Sequence, residues 1–171
     1  MNQIILVNSH DQEVGLMDKL EAHQKGLLHR AVSVFLFNSE GKLLLQQRSK
    51  TKYHSGGLWT NTACSHPYPG ETTLNAAIRR LNEEMGIEAN LQEAFHFTYR
   101  AEFENGLVEH EYDHVYVGSS DLSPDPAPDE VMDFTYHSLE EIENKLITTP
   151  ELFTEWFKLC YKYAFQYYNQ K

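Results

Sequence analysis

The sequence predicts an α+β fold, an α/β/α sandwich in which a mixed sheet carries helices on its faces. Three observations predict it. Strand-period alternation recurs in separate runs at 31–38, 95–103 and 107–118. One long amphipathic segment, 71–85, lies between them. Two helix-start signals then close the chain, at Ser138 and at Thr149-Pro150.

Taken in order, 3–8 reads as a short strand turned by His10-Asp11-Gln12. The segment 17–25 is polar, helical or irregular, and Gly26 stops it. The run 31–38 is a strong strand, Asn38-Ser39-Glu40-Gly41 a turn and 42–48 its hairpin partner. A polar loop, 50–57, ends in Gly56-Gly57. In 71–85, Leu74, Ala77, Ile78, Leu81 and Met85 recur at helical spacing, with Gly86 as the C-terminal stop.

Phe95, Phe97, Tyr99, Ala101 and Phe103 alternate with polar residues, and Asn105-Gly106 is the strongest hairpin signal in the chain. The returning strand 107–118 puts Glu109, Glu111 and Asp113 on one face. Pro124, Pro126 and Pro128 mark a loop, and 132–137 a further strand. Ser138 with Glu141 forms a capping-box pattern. A last helix is expected to start at Thr149-Pro150, with Leu152, Trp156, Leu159, Cys160 and Tyr163 on one side. No repeat or linker divides the chain, so one domain over 1–171 is expected.

Composition narrows the function classes. Apolar residues make up 41% and charged residues 23%, the balance of a soluble globular protein. The two cysteines, Cys64 and Cys160, make no disulfide framework, and a reducing, cytoplasmic setting fits them. The first residues lack a basic segment ahead of an apolar run, so no secretory signal is expected. No run approaches the roughly 20 apolar residues of a membrane span. A net charge of −11 argues against nucleic acid and against an acidic membrane as partner. The distribution is uneven: 101–144 holds thirteen acids and no Lys or Arg, whereas 19–52 holds seven of the fourteen basic residues. Concentrated cations in an acidic protein can form a local anion site. Oligomeric state is not legible; a monomer is the default expectation.

Chemistry concentrates at Leu58-Trp59-Thr60-Asn61-Thr62-Ala63-Cys64-Ser65-His66-Pro67, which brings a thiol and an imidazole to the mouth of the 71–85 helix. His23, His29 and His66, with Glu109 and Glu111 on one strand face, are a donor set for Mn, Zn, Fe or Mg rather than for a thiolate-loving metal. The helix ends Arg79-Arg80-Leu81-Asn82-Glu83-Glu84-Met85-Gly86-Ile87, with Glu71 upstream.

This loop and helix resemble the Nudix signature, in which glutamates present divalent cations to a diphosphate. Glu71, Arg79, Leu81, Glu83, Glu84, Gly86 and Ile87 match it. Ser65 stands where the pattern opens with glycine, and Arg80 where it has a catalytic glutamate. A cation in place of that acid removes a metal ligand and adds a phosphate contact, so hydrolysis is expected to be impaired.

Together, Glu-Ala-His…His-Arg-Ala at the front, Trp-Thr-Asn-Thr-Ala-Cys-Ser-His-Pro in the middle and Val-Glu-His-Glu later are similar to the type I isopentenyl diphosphate Δ-isomerases, over about residues 3 to 160. The resemblance implies a flavin-independent isomerase on a Nudix-like fold, interconverting isopentenyl and dimethylallyl diphosphate by protonation and deprotonation for isoprenoid biosynthesis. It implies one divalent metal (Mn, Mg or Zn) on His23, His29, His66, Glu109 and Glu111. Cys64 and Glu111 would be the acid/base pair, with Tyr99 assisting Glu111. Glu84 with the Cys64 carbonyl would hold a Mg²⁺ bridging the diphosphate. Lys19, Arg48, Lys52 and Arg80 would bind the diphosphate, and Trp156 would face the isoprenoid. The spacing from His23 to His29 is one residue shorter than in some relatives.

The residue types suit that reaction. An unactivated alkene is a weak base, so its protonation needs a positioned acid in a site closed to water. An indole face can stabilise the resulting cation by roughly 0.5–2 kcal/mol without attacking it. Which of Cys64 and Glu111 donates first stays open. Tyr99 sets a condition: a strict two-residue turn at Asn105-Gly106 would pair Arg100 with Glu111 and turn Tyr99 to the other face. A three-residue loop or a bulge between Tyr99 and Glu109 is therefore expected. The rival readings are a Nudix hydrolase of a nucleoside diphosphate derivative and a binding module without turnover.

Overall fold

The structure, a computed structural model, describes residues 2–171. Its strands join one sheet. The organising strand is β3 (His29–Phe37), which pairs in parallel with β8 (Val108–Ser119) along its whole length, from His29 opposite Glu111 to Phe37 opposite Ser119. Nearly every residue of β3 is buried, as expected of a strand covered on both faces. Its other edge is shared by three short contacts: β1 (Gln3–Val7) at His29, β6 (Ala63–Ser65) at Val32–Val34 and β4 (Leu43–Arg48) at Phe37. The gap between β1 and β6 along that edge is where the site lies.

The early hairpin is therefore a correction. β3 and β4 are joined by the expected turn but share a single pair, Phe37 with Leu43. The long partner of β4 is β9 (Val131–His137), antiparallel from Leu43–His137 to Arg48–Val131. Two further strands lie where the sequence reading marked none. β5 (Trp59–Thr60) pairs with β4, and β2 (Glu13–Asp18) pairs with β1. Asp18 ends β2 and caps α1 (Lys19–Lys25), its Oδ1 accepting from the amides of Leu20 and Glu21 at 2.9 and 3.2 Å. Gly26 closes α1 at φ 64°.

Helix α2 (Thr73–Met85) packs on one face, where Ala76, Ala77, Leu81 and Met85 meet Val32, Val34, Leu36 and Leu44. The opposite face meets α3 (Leu139–Thr148) and α4 (Glu155–Asn169) through Phe35, Phe37, Leu43, Leu45, Val115 and Val117. Helices on both faces of a mixed sheet make the α/β/α layering that the sequence predicts. The capping box of α3 forms, with Ser138 and Glu141 satisfying each other's amides at 3.2 and 2.7 Å. The last helix departs from expectation. Pro150–Leu152 is only a 3₁₀ turn, and α4 starts at Glu155. Its buried stripe is Trp156, Phe157, Cys160, Tyr161, Ala164 and Phe165, while Leu152, Leu159 and Tyr163 are exposed.

β7 (Leu91–Glu102) and β8 form the long hairpin. Phe103 N–H donates to Leu107 at 2.9 Å and Gly106 N–H to Phe103 at 3.0 Å, so the loop is three residues, Glu104 to Gly106. Gly106 takes φ 80°, the left-handed closing position of such loops. This register pairs Tyr99 with Glu111, as the expected three-residue loop requires.

Candidate active site and metal centre

On the face that carries α4, the near ends of the strands are polar rather than apolar. Tyr99, Glu111 and His29 stand in one row across β7, β8 and β3. Glu109 and Asp113 flank Glu111 on β8, and all three carboxyls are buried. β6 sets Cys64 opposite Ser33, and His66 follows just beyond it. α1 supplies His23. The shorter spacing from His23 to His29 does not displace His23 from the cluster.

The imidazoles are aimed from behind. His23 Nδ1 lies 2.6 Å from the Lys19 carbonyl and His29 Nδ1 2.8 Å from the Leu27 carbonyl, so each Nδ1–H donates outward and each Nε2 lone pair faces the cluster. His66 Nε2 lies 3.0 Å and His29 Nε2 3.5 Å from Glu111 Oε1. Donor atoms of His23, His29, His66 and Glu111 all fall within 4.8 Å of one another. Among the described residues, His29 Nε2 and Glu109 Oε2 are buried with no hydrogen-bond partner. Lone pairs converging on lone pairs in a buried site are unfavourable until a cation enters. The residues present therefore fit a divalent metal, and this His/Glu group could bind one.

Burial holds His23 and His66 neutral, the form that ligates: it lowers His23 to about 4 and His66 to about 3. Glu109 and Glu111 are too close to ionise independently. Burial and the neighbouring Glu111 push Glu109 well up. Burial opposes ionisation of Glu111 as well, yet that carboxyl is held down, with the His66 imidazole hydrogen-bonded to it. Tyr99 Oη adds a hydrogen bond to Glu111 Oε2 at 2.7 Å. Burial also pushes the Cys64 thiol well up; Arg48 pulls the other way without prevailing. A thiol pushed toward its protonated form and a carboxyl held toward its ionised form thus border the same cavity of about 190 Å³.

The outer part of that cavity is cationic. Lys19, Arg48, Lys52 and Arg80 all line it. Burial and the charges of Lys52, Arg48 and Arg80 lower the Lys19 pKa. Arg48 is buried and lies 5.2 Å over the Trp156 ring, with Nη1 3.8 Å from Cys64 Sγ. Arg80 is held by carboxylates: Nη2 and Nε donate to Glu84 Oε1 at 2.6 and 3.1 Å, and Nη2 meets Glu130 at 3.1 Å. Glu84 Oε2 accepts from Gln46 at 2.6 Å, so both oxygens of Glu84 are engaged, and a cation there would share the carboxylate with Arg80. Glu71 and Arg79 pair through two contacts of 2.8 Å and brace the loop leading into α2.

Several site residues escaped the sequence reading. Tyr53 and His54 come from the polar loop 50–57, which has no periodicity to mark them. Glu130, which meets both Lys52 and Arg80, lies in the acid-rich stretch just after the prolines. Ser33, whose hydroxyl donates to Asp113 at 2.7 Å, reads in sequence as an ordinary strand residue.

Comparison with known proteins bears on the family and the fold. The NUDIX domain family model matches residues 27–157. An isopentenyl-diphosphate Delta-isomerase from Pectobacterium atrosepticum is 53% identical over 94% of this chain and 90% of its own. Isopentenyl-diphosphate Delta-isomerase 2 from Aromatoleum aromaticum is 49% identical over 93% and 84%. In fold, the chain is similar to the crystal structure of DR0079 from Deinococcus radiodurans, with a TM-score of 0.71, 22% identity and coverage of 86% and 90%. It is also similar to a MutT protein from Methanosarcina mazei, with a TM-score of 0.67, 20% identity and coverage of 84% and 96%. With a Nudix loop and helix, a His/Glu centre beside a thiol, and about half its residues shared with such enzymes over most of its length, the chain belongs to the Nudix-type isopentenyl-diphosphate Delta-isomerases.

Proposed function

We propose that this chain, as one domain over 1–171, interconverts isopentenyl diphosphate and dimethylallyl diphosphate for isoprenoid biosynthesis. The observation that carries the reading is the placement of Cys64 and Glu111 on one small cavity whose outer rim bears Lys19, Arg48, Lys52 and Arg80. The cations bind the diphosphate and leave the five-carbon unit between the thiol and the carboxylate. One of the two gives a proton to the terminal methylene carbon; the other removes a proton from the carbon next to the diphosphate-bearing carbon. The double bond moves by one position, and no atom is lost. A protonated thiol facing an ionised carboxylate can start the shift in one direction, and the thiolate with protonated carboxyl that it leaves is the state that runs the reverse. Tyr99 orients Glu111. Trp156 gives the cationic intermediate an indole face instead of water.

His23, His29, His66, Glu109 and Glu111 would hold one divalent metal (Mn, Mg or Zn), and Glu84 with the Cys64 carbonyl a Mg²⁺ that accompanies the diphosphate. When bound, these cations supply the positive charge that offsets the buried carboxylates and the diphosphate. Arg80, paired with Glu84, stands where hydrolysis would need an acid, which favours isomerisation over diphosphate cleavage. The enzyme is proposed to act as a cytoplasmic monomer; no helix among the described residues is long and apolar enough to cross a membrane.

Incubation with isopentenyl diphosphate, Mg²⁺ and Mn²⁺ in D₂O tests this. Deuterium should enter dimethylallyl diphosphate, and both chelation and Cys64→Ala should abolish its entry. Phosphate release from nucleotides without deuterium exchange would sink the proposal.

A further inference from the structure

Behind the metal centre, His54 is built as tightly as any proposed ligand. Its ring stacks on Phe103 with centroids 4.4 Å apart and planes 9° from parallel. It meets Tyr53 edge-on at 4.4 Å and Trp156 at 6.0 Å. Nδ1 is engaged by Ser55 Oγ at 3.1 Å, and the backbone carbonyl accepts from Arg48 at 3.3 Å. Three aromatic contacts and the Ser55 hydroxyl hold the imidazole, and the Arg48 bond holds its backbone.

The remaining nitrogen, Nε2, points inward. It lies 3.5 Å from Glu109 Oε1, too far for a hydrogen bond, and the His54 side chain is only 2% exposed. Among the described residues neither His54 Nε2 nor Glu109 Oε2 has a partner. A buried nitrogen and a buried carboxylate held apart at that distance leave both unsatisfied. Donor atoms of His23, His54 and Glu109 lie within 4.8 Å of one another, and this group shares His23 with the group of His23, His29, His66 and Glu111.

Resting on the metal-centre reading above, we propose that His54 is a ligand of the divalent cation through Nε2, beside Glu109. It brings the donors around the centre to six, the number that octahedral cations take, in two groups that meet at His23: His23, His29, His66 and Glu111, and His23, His54 and Glu109. The sixth donor matters because Glu111 has two duties. A carboxylate that exchanges a proton with substrate cannot hold a cation equally well in both protonation states. With His54 in the set, four imidazoles and Glu109 keep the cation when Glu111 is protonated. Four imidazoles also shift the preference from Mg²⁺ toward Mn²⁺, Co²⁺ or Zn²⁺.

Titration of the metal-free protein with Co²⁺ alone, followed by visible absorption, tests this without substrate. His54→Phe keeps the stack on Phe103 and removes the donor; His54→Gln keeps polarity and removes the ring. Both should bind Co²⁺ at least about tenfold more weakly, with an altered cobalt spectrum. Glu111→Gln should retain Co²⁺, and adding His54→Phe to it should lose the ion. Circular dichroism confirms folding of each variant. Co²⁺ affinities within about twofold of the parent for both His54 variants, with unchanged spectra, would overturn the assignment. His66→Gln is the control: unchanged binding there would overturn the whole centre and His54 with it. Because no substrate is present, absence of isomerase turnover alongside His54-dependent binding would refute the activity and leave the ligand assignment standing.

Discussion

Tyr99 sits directly across the β7–β8 pair from Glu111 and donates its hydroxyl to Glu111 Oε2 at 2.7 Å. That contact depends on the three-residue loop ending at Gly106, because a loop one residue shorter would turn Tyr99 to the opposite face. Turn chemistry forty residues downstream of the thiol loop thus decides what touches the carboxylate.

Tyr99→Phe removes this donor and keeps the ring. A hydrogen bond to a charged group is worth about 1.5–3 kcal/mol, so kcat should fall roughly 10- to 150-fold with KM little changed. The lost donor stabilised the ionised carboxylate, so the acidic limb of the pH–rate profile should move to higher pH. A KM effect with an unmoved acidic limb would mean that Tyr99 packs the cavity and does not act on Glu111.

His66 gives a stability test in chelator. Burial lowers its pKa in the fold to about 3, from an ordinary value of 6.5. Between those pH values the unfolded chain carries a proton that the folded chain lacks, so His66 makes the metal-free fold less stable as pH drops below 6.5. The slope is up to about 1.4 kcal/mol per pH unit. Glu109 and Asp113, whose carboxyls burial pushes well up, contribute with the opposite sign and flatten the curve of the whole protein. The difference between parent and His66→Gln isolates the histidine. Urea unfolding in EDTA should show the parent losing ground to the variant as pH falls from 6.5 toward 4. A difference independent of pH would mean that His66 is not held neutral.

Much of this architecture was legible in the sequence, for physical reasons that also explain the misses. The α2 stop follows from Gly86, and the α3 start from the Ser138–Glu141 box, because these are local backbone effects; the Thr72 cap, which starts α2 at Thr73 and not at Glu71, was not read. Strand β2 was not legible: only Val14 and Leu16 alternate in it before Met17 breaks the pattern, and both are exposed. The parallel pairing of β3 with β8 joins segments about eighty residues apart, and periodicity within a strand says nothing about its partner. The buried stripe of α4 was misplaced because Thr149-Pro150 starts only a 3₁₀ turn, and the true start at Glu155 brings Phe157, Tyr161 and Phe165 inward. Of the site, the histidines near β3 and the acids of β8 stood out by motif. His54 did not, since it lies in an irregular loop and becomes a site residue only when Phe103 and Trp156 fold around it.

Cys64 should be slow to alkylate. Burial pushes its thiol well above the ordinary range, so the reactive thiolate is scarce near neutral pH. Cys160, 1% exposed, serves as the internal unreactive reference. Peptide mapping after iodoacetamide should find Cys64 labelled far more slowly than a free cysteine at pH 8. Rapid labelling at pH 7 would show that Arg48, whose Nη1 lies 3.8 Å from the sulfur, prevails over burial and makes the thiol an anion at rest.

Trp156 separates packing from cation stabilisation. Its ring lies under Arg48 at 5.2 Å, and its Nε1–H donates to Asn61 Oδ1 at 3.1 Å. Trp156→Phe keeps an aromatic face. It leaves no orphaned acceptor, because Asn61 Oδ1 also accepts from the Thr60 hydroxyl at 2.9 Å. Trp156→Leu removes the face and keeps an apolar group. A cation–π contribution of roughly 0.5–2 kcal/mol corresponds to about a 2- to 30-fold loss of kcat, so Leu should lose that much relative to Phe at similar KM. Melting temperatures control for packing, since both substitutions shrink the side chain and cost stability. If Phe and Leu lose kcat equally and track their melting temperatures, Trp156 fills space. If Phe holds kcat while Leu does not, at comparable melting temperatures, the π face acts on the positive charge that forms between Cys64 and Glu111.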